Sequence, residues 1–467
     1  MTLAARTAVV VSGGLLVLGS ILLYYVSNAT RYNQYDHFVW QADAFLHGRA
    51  WIPYPVPGND YFQDVYRISP TQALLPFPPL PALVLLPFVW VFGFDTDQEL
   101  LAVVLAGIGV GLAFWMLGRL PIRLWARIAV TVLFAAGTVF WWTAASGTTW
   151  YFAHIVAIDL LFIAIGRALG ADREAVAGPA DGGVKTGPRP RSLPARAGAF
   201  VDGILPLDGA QLVNGLLLGL AATARLPVVL GFPFLVFVGA GDTWQRRILS
   251  AGLGTSIPVL ALFAYNLATT GSFFHPGYES QYRLELGYTA LGYHADWSLE
   301  DVRYIPQNLG IMFGSLPTLL PDIRTTALGP DFLPEVPLCT QAGAVRGLFD
   351  MACPLALPHD IGTSVLFVTP AFLLMVPVLR WVLRRRLVAG ATVAIVLIGL
   401  LNLAHFSQGW VQWGYRFSND FIPFALPLVA LGATSRDGRL RVLAFALIVA
   451  SVLVNAWGVI WGNLLGW

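Results

Sequence analysis

Residues 73–93 read ALLPFPPLPALVLLPFVWVFG, and whether this stretch crosses a membrane decides the topology of everything after it. It is apolar and about as long as a bilayer-spanning helix. Yet it carries Pro at 76, 78, 79, 81 and 87, and each proline fixes φ and removes a backbone donor, a poor fit to a helix interior. Further apolar segments lie at 7–27, 98–118, 126–143, 151–169, 210–224, 226–240, 248–268, 361–379, 387–404, 421–434 and 440–462. Of the 467 residues, 57% are hydrophobic and 12% charged, against about 25% charged in a soluble domain. Mean hydropathy is +0.67. A soluble enzyme, a disordered chain and a single-anchor receptor are excluded. The alternation of a membrane β-barrel is missing too. The net charge of +2 favours no nucleic-acid partner. The fold class that remains is an all-α polytopic membrane protein, and 16 Trp, 15 Tyr and 29 Phe supply it with interfacial anchors.

The basic residues turn the count of spans into a parity problem. Arg6, Arg119/Arg123/Arg127, Arg246/Arg247, Arg380/Arg384/Arg385/Arg386 and Arg436/Arg439/Arg441 flank apolar segments, and the positive-inside rule puts all of them in the cytoplasm. The run 7–27 is too long for a signal-peptide core and reads as a retained first span. If it crosses outward, a crossing at 73–93 would put every later basic loop on the wrong side. The stretch is therefore expected to stay on the outer face as a juxtamembrane or re-entrant segment. The same parity makes 210–240 two short spans with Arg225 at their apex, and gives about eleven transmembrane helices with a cytoplasmic N-terminus. Three regions follow: an N-terminal transmembrane catalytic module 1–268, an outer loop 269–360, and C-terminal transmembrane helices 361–467. The module holds the first outer loop, 28–97, and a Gly/Pro/Arg-rich cytoplasmic loop, 170–209, with the composition of a flexible linker. All seven His and both Cys fall on or near the outer face, which is where chemistry is expected.

The first outer loop opens with RYNQYDHFVWQADAFLHGRAW, residues 31–51. On a helix over 34–47, stopped by Gly48, the residues Asp36, Trp40, Asp43 and His47 share a sector of about 60°, opposite Phe38, Val39, Ala42, Phe45 and Leu46. The pattern predicts an interfacial helix with an apolar face on membrane or protein and an acidic face toward a polar space. An ordinary amphipathic surface helix would look the same.

These motifs, in this order, resemble the GT-C superfamily of membrane glycosyltransferases, which use lipid-phosphate-linked sugars; protein O-mannosyltransferases and lipid A aminoarabinose transferases belong to it. The resemblance rests on Tyr32 and Asp36 after the first span, Ala44 and Gly48, Pro78-Pro79-Leu80, and Phe92-Gly93. It continues through Gly215…Gly219 and Arg225-Leu226-Pro227, Tyr265-Asn266…Thr270-Gly271-Ser272 with Gly277-Tyr278, and Trp413-Gly414-Tyr415-Arg416-Phe417…Pro423. It runs over most of 1–435. In that family the segment with Pro-Pro-Leu belongs to the outer loop. The chain departs from the pattern where Asp36 is followed by His37 rather than a second acid. Phe77 stands where a basic residue is usual, and Thr149–His154 stand where relatives frequently carry an Asp.

The resemblance implies an inverting transfer of a monosaccharide from a polyprenyl-phosphate donor to an acceptor hydroxyl on lipid, glycan or protein, at the extracytoplasmic face of the plasma membrane. Phosphate leaves readily, so the protein must supply mainly a base for the acceptor hydroxyl. Asp36 is the candidate base. Asp43, two turns on, either orients the acceptor or His47, or is a solvated charge. Arg416 and Arg225 are candidates for the donor phosphate, since the Arg fork holds two phosphate oxygens; each has snorkelling to the interface as its alternative. His154, Tyr278 and Tyr32 are candidate substrate contacts, with ordinary structural roles open to each. Asp159, one helical turn deeper in the same span as His154, is expected to bond to a neighbouring helix. No cofactor is called for, and a divalent metal is not specified by any ligand spacing. Cys339 and Cys353 would pair in an oxidising compartment. A transporter or flippase of lipid-linked sugars is the competing reading, but no internal repeat is visible. A cell-wall glycan polymerase or ligase is a third. Labelling of single-Cys variants should reach positions 60, 95, 300 and 410 from outside, and 122, 185, 245, 385 and 438 from the cytoplasm. Labelling of position 95 from the cytoplasm would overturn the parity assignment.

Overall fold

The computed structural model describes residues 2–28, 35–56, 64–172, 175, 207–279, 294, 296–324, 335–409 and 411–467. It is predominantly helical, and among the described residues six helices are long and apolar enough to cross a membrane: α1 (Leu3–Ser27), α4 (Gln98–Leu117), α7 (Thr149–Ala171), α10 (Trp244–Thr270), α11 (Arg386–Ala404) and α13 (Val442–Leu465). A seventh crossing is added if α5 (Leu124–Ala136) and α6 (Phe140–Ser146), bent by 53° at their junction, act as one span.

Four expected spans are shorter than a full crossing. They appear as α8 (Gly209–Ala222), a 3-10 turn Leu226–Gly231 leading into α9 (Phe232–Phe237), the pieces within Pro370–Leu379, and α12 (Ile422–Ala433). The 14 residues of α8 rise about 21 Å, short of a hydrocarbon core of about 30 Å. Prolines account for most of the shortening. Pro227 and Pro233, Pro370 and Pro377, and Pro423 each sit at the first positions of a helical piece, where the missing N–H is tolerated and a helix arriving from upstream is stopped.

The stretch 73–93 divides. Its first residues join a three-stranded antiparallel sheet of order β1-β3-β2 (β1 Ile52–Pro53, β2 Tyr66–Ser69, β3 Gln72–Leu74). The rest is α3 (Leu80–Phe92), whose Trp90, Val91 and Phe92 are exposed. The preceding helix, α2 (His37–Leu46), begins three residues later than its sequence suggests. It is not the two-faced interfacial helix expected. Every residue from His37 to Ala44 is buried, on both faces, because α3 packs against it and the start of α7 binds its N-terminal backbone.

At the centre stands α7, 78% of whose most apolar window is buried, against 11% for the peripheral α1. It packs against α4, α6, α8 and α12. One close helix crossing is α8 on α10. Gly215 and Gly219, in a small-xxx-small spacing, and Gly254 on the opposite helix let the backbones touch. A Cβ at Gly215 would collide with the Ala251 carbonyl, one at Gly219 with the Thr255 carbonyl, and one at Gly254 with the Leu212 carbonyl. Thr255 Oγ1 donates to the Gly215 carbonyl at 3.1 Å across this contact. Gly215→Val or Gly254→Val should therefore lower stability by about 1–3 kcal/mol or more, as overpacking does. Gly14→Val, on the open face of α1 with nothing within 4 Å, should be near neutral; thermal unfolding in detergent measures both.

Candidate active site

The site is built on the N-terminal end of α7. Thr149, its first residue, receives the segment that carries Asp36. The Thr149 amide donates to the Tyr35 carbonyl at 3.1 Å, and its hydroxyl makes a short bond to the same carbonyl. That hydroxyl also accepts from the His37 amide at 3.1 Å and lies 3.0 Å from His37 Nδ1. Asp36 is thus held between two fixed neighbours. His37 and Thr149 position Asp36 and add no second carboxylate.

Asp36 is the N-cap of α2, but its side chain makes no capping bond. It is 6% exposed, and its Oδ1 is buried without a hydrogen-bond partner among the described residues. Burial first, and then the charge of Asp97, push its carboxyl up to about 7. Asp97 is held as the N-cap of α4, accepting from the Leu100 amide at 2.7 Å. A carboxyl poised near neutrality, with a free oxygen, is suited to take a proton.

Behind Asp36, rings connect it to a second cluster. His37 lies against Phe77 (5.4 Å between centroids), and Phe77 against Tyr278 (5.8 Å). Phe77 is a buried member of this aromatic wall. Tyr278 in turn neighbours Arg225.

Arg225 follows α8 and points at Asp420, the last residue of the 3-10 turn Arg416–Asp420 before α12. Its fork is bidentate: Nε to Oδ1 at 3.2 Å and Nη2 to Oδ2 at 2.9 Å. Asn402 of α11 donates to Oδ2 at 3.1 Å, and His154 Nδ1 of α7 lies 3.0 Å from Oδ1. Asp420 is 1% exposed and His154 1%. The turn itself is pinned, because Asn419 donates to Thr143 Oγ1 at 2.7 Å and Asn402 to the Phe417 carbonyl at 3.3 Å. Arg416 is half-buried, with its guanidinium 5.3 Å from the Phe417 ring centroid and 5.9 Å from that of Tyr151. Its Nε has no hydrogen bond, and it has no carboxylate partner among the described residues. Arg225 is thus neutralised by Asp420, whereas Arg416 meets no carboxylate among the described residues.

The candidate residues fare differently from their expected roles. Arg225, His154, Tyr278 and Arg416 do come together. However, Arg225 is not a free phosphate-binding fork, since Asp420 occupies it, and His154 is committed through Nδ1 to the same carboxylate. Asp43 does not face an open polar space; it lies 3.5 Å from both Arg49 and His47. Tyr32 lies outside the described residues. Cys339 and Cys353 form a disulfide. Asp420 is the residue that sequence reasoning missed. Its signal was that it is the lone acid in the apolar run 361–434, four residues after Arg416, and an acid in such a run needs a partner.

Beside the cluster runs a groove of about 530 Å³ whose lining includes Phe45, Leu80, Leu83, Leu220, Leu262 and Tyr265. Thr223, two residues before Arg225, and Arg49 also line it. Among the described residues no group of three or more His, Cys, Asp or Glu converges as a metal site. Comparison with protein-family models, curated proteins and solved structures finds no match for this chain.

Removing one partner of a buried ion pair strands the other. Asp420→Asn should destabilise the protein by about 3–5 kcal/mol, read as a fall in unfolding midpoint in detergent. The double replacement Asp420→Leu with Arg225→Met should recover much of the loss. A single variant as stable as wild type would show that the pair does not hold these helices.

Proposed function

We propose that the protein is an integral-membrane inverting glycosyltransferase of GT-C type, acting at the extracytoplasmic face of the plasma membrane. It moves a monosaccharide from a polyprenyl-phosphate donor to an acceptor hydroxyl. The proposed topology is eleven crossings, several of them short, with the N-terminus in the cytoplasm. The observation that carries this reading is Asp36: a buried carboxyl poised near neutrality, with one oxygen unpartnered among the described residues, and joined by one aromatic wall to the cluster that holds Arg225 and Arg416. The apolar groove that passes Thr223 supports a donor with a long hydrocarbon chain.

In this reading Asp36 takes the proton of the acceptor hydroxyl as its oxygen bonds to the anomeric carbon. The bond from that carbon to the phosphate oxygen breaks on the opposite face, and the phosphate leaves with the electron pair. Configuration inverts. Arg416 meets the leaving phosphate with its unpaired guanidinium, and the charge-assisted contact strengthens as negative charge accumulates there. Arg225 acts one step back: by neutralising Asp420 it stops that carboxylate from repelling the phosphate. Phe77 and Tyr278 shape the space between base and cation.

Membranes containing the protein should transfer radiolabelled sugar from a polyprenyl-phosphate donor. Asp36→Asn should cut the rate by about 10²–10⁴ while donor binding survives. As a base Asp36 works only when ionised, so the rate should rise with pH through about 7 and level off above it. Asp97→Asn retains a capping side chain but removes the charge that raises Asp36. It should move the ascending limb to lower pH. A wild-type rate for Asp36→Asn, or a limb that ignores Asp97, would remove the catalytic assignment.

A further inference from the structure

The second outer region contains a small module whose core is shared with a membrane helix. Two short antiparallel pairs, β4 (Thr318–Leu319) with β7 (Ala356–Leu357) and β5 (Ile323–Arg324) with β6 (Val336–Pro337), are closed by the Cys339–Cys353 disulfide. Leu338 and Leu357 from the module bury themselves on Trp461, near the C-terminal end of α13, with Trp457 and Leu465 packed alongside. Trp461 Nε1 donates to the Leu348 carbonyl at 3.2 Å, and the Trp461 and Phe349 rings lie 6.5 Å apart.

Between the cysteines, the loop presents Val345 (83% exposed), Leu348 (52%) and Phe349 (40%). Of the two charged residues between the cysteines, Arg346 is turned inward, and Asp350 is exposed but bound to the local backbone. Arg346 donates to the Pro321 and Pro354 carbonyls at 2.9 and 3.1 Å and pairs with Asp322 at 2.8 Å. Asp350 accepts from the Ala352 and Cys353 amides at 2.9 and 3.2 Å. What the loop shows outward between 345 and 349 is therefore apolar.

We infer that residues 345–349 are a membrane-contacting loop that rests in the lipid headgroup region at the C-terminal end of α13. Tryptophans at the end of a spanning helix mark the bilayer interface. The hydrogen bond from Trp461 holds Leu348 at that depth, so the exposed side chains continue the apolar surface of α13. The same module also exposes Leu319, Leu320, Ile323 and Leu355, and its seat at the end of a spanning helix makes a lipid surface, where binding scales with buried apolar area, the occupant. The disulfide and the inward-turned Arg346 keep the loop in shape while its apolar side chains point away.

The test uses the full-length wild-type protein in vesicles of zwitterionic phosphatidylcholine containing a phospholipid with a photoactivatable carbene precursor near the headgroup. Adducts located by peptide mass spectrometry should fall on 345–349. Val345→Glu, at a position open enough to leave the unfolding midpoint unchanged, should lower them several-fold. Adducts on 345–349 no higher than in the unirradiated control would overturn the inference. So would an adduct yield unchanged by Val345→Glu, or cross-links joining these loops from two copies in place of lipid adducts.

Discussion

The carboxylate of Asp420 is the point on which the interior depends. Three donated hydrogen bonds converge on it, two from the forked nitrogens of Arg225 and one from Asn402, and His154 Nδ1 lies 3.0 Å away. Away from water a lone carboxylate is costly, and so is a lone guanidinium. Neither can be buried without the other, and α7, the start of the 226–237 hairpin arm, α11 and the approach to α12 must all be in register for the pair to close. The Gly215/Gly219/Gly254 crossing serves the same end. It lets α8 lie directly on α10, and α8 delivers Arg225 three residues after its last turn.

The charge balance of the proposed site follows from that pairing. With Arg225 neutralised, Arg416 is left with aromatic rings and no carboxylate among the described residues, its charge available to an anion. Asp36 lies across the Phe77–Tyr278 wall, far enough from the cations that none appears among the causes of its raised titration, which are burial and the Asp97 charge. Base and anion site are thus kept electrostatically apart. Had Arg225 been unpaired and close to Asp36, it would have held that carboxyl ionised and weakened it as a base.

The membrane-spanning class and the position of Asp36 just beyond the first long apolar helix were legible in the sequence, because each depends on hydropathy and local spacing. Proline positions marked 73–93 as an irregular segment, and the structure divides it into a strand and a 13-residue helix. The nature of α2 was not legible. Its two-sided pattern predicts an interfacial helix, yet α3 and the start of α7, distant in sequence, cover both faces. Helical periodicity reports which residues share a side, not what packs against that side.

Composition and order along the chain by themselves determined a helical membrane protein, its apolar segments, the two paired cysteines and the short list of residues able to do chemistry. Only the tertiary structure decided how those residues are spent. Arg225 and Arg416 are alike in sequence, each an arginine beside an apolar run; one is locked onto Asp420 and the other is not. The difference arises from partners 195 residues apart, and ion-pair energy depends on distance and burial, which one-dimensional spacing does not carry.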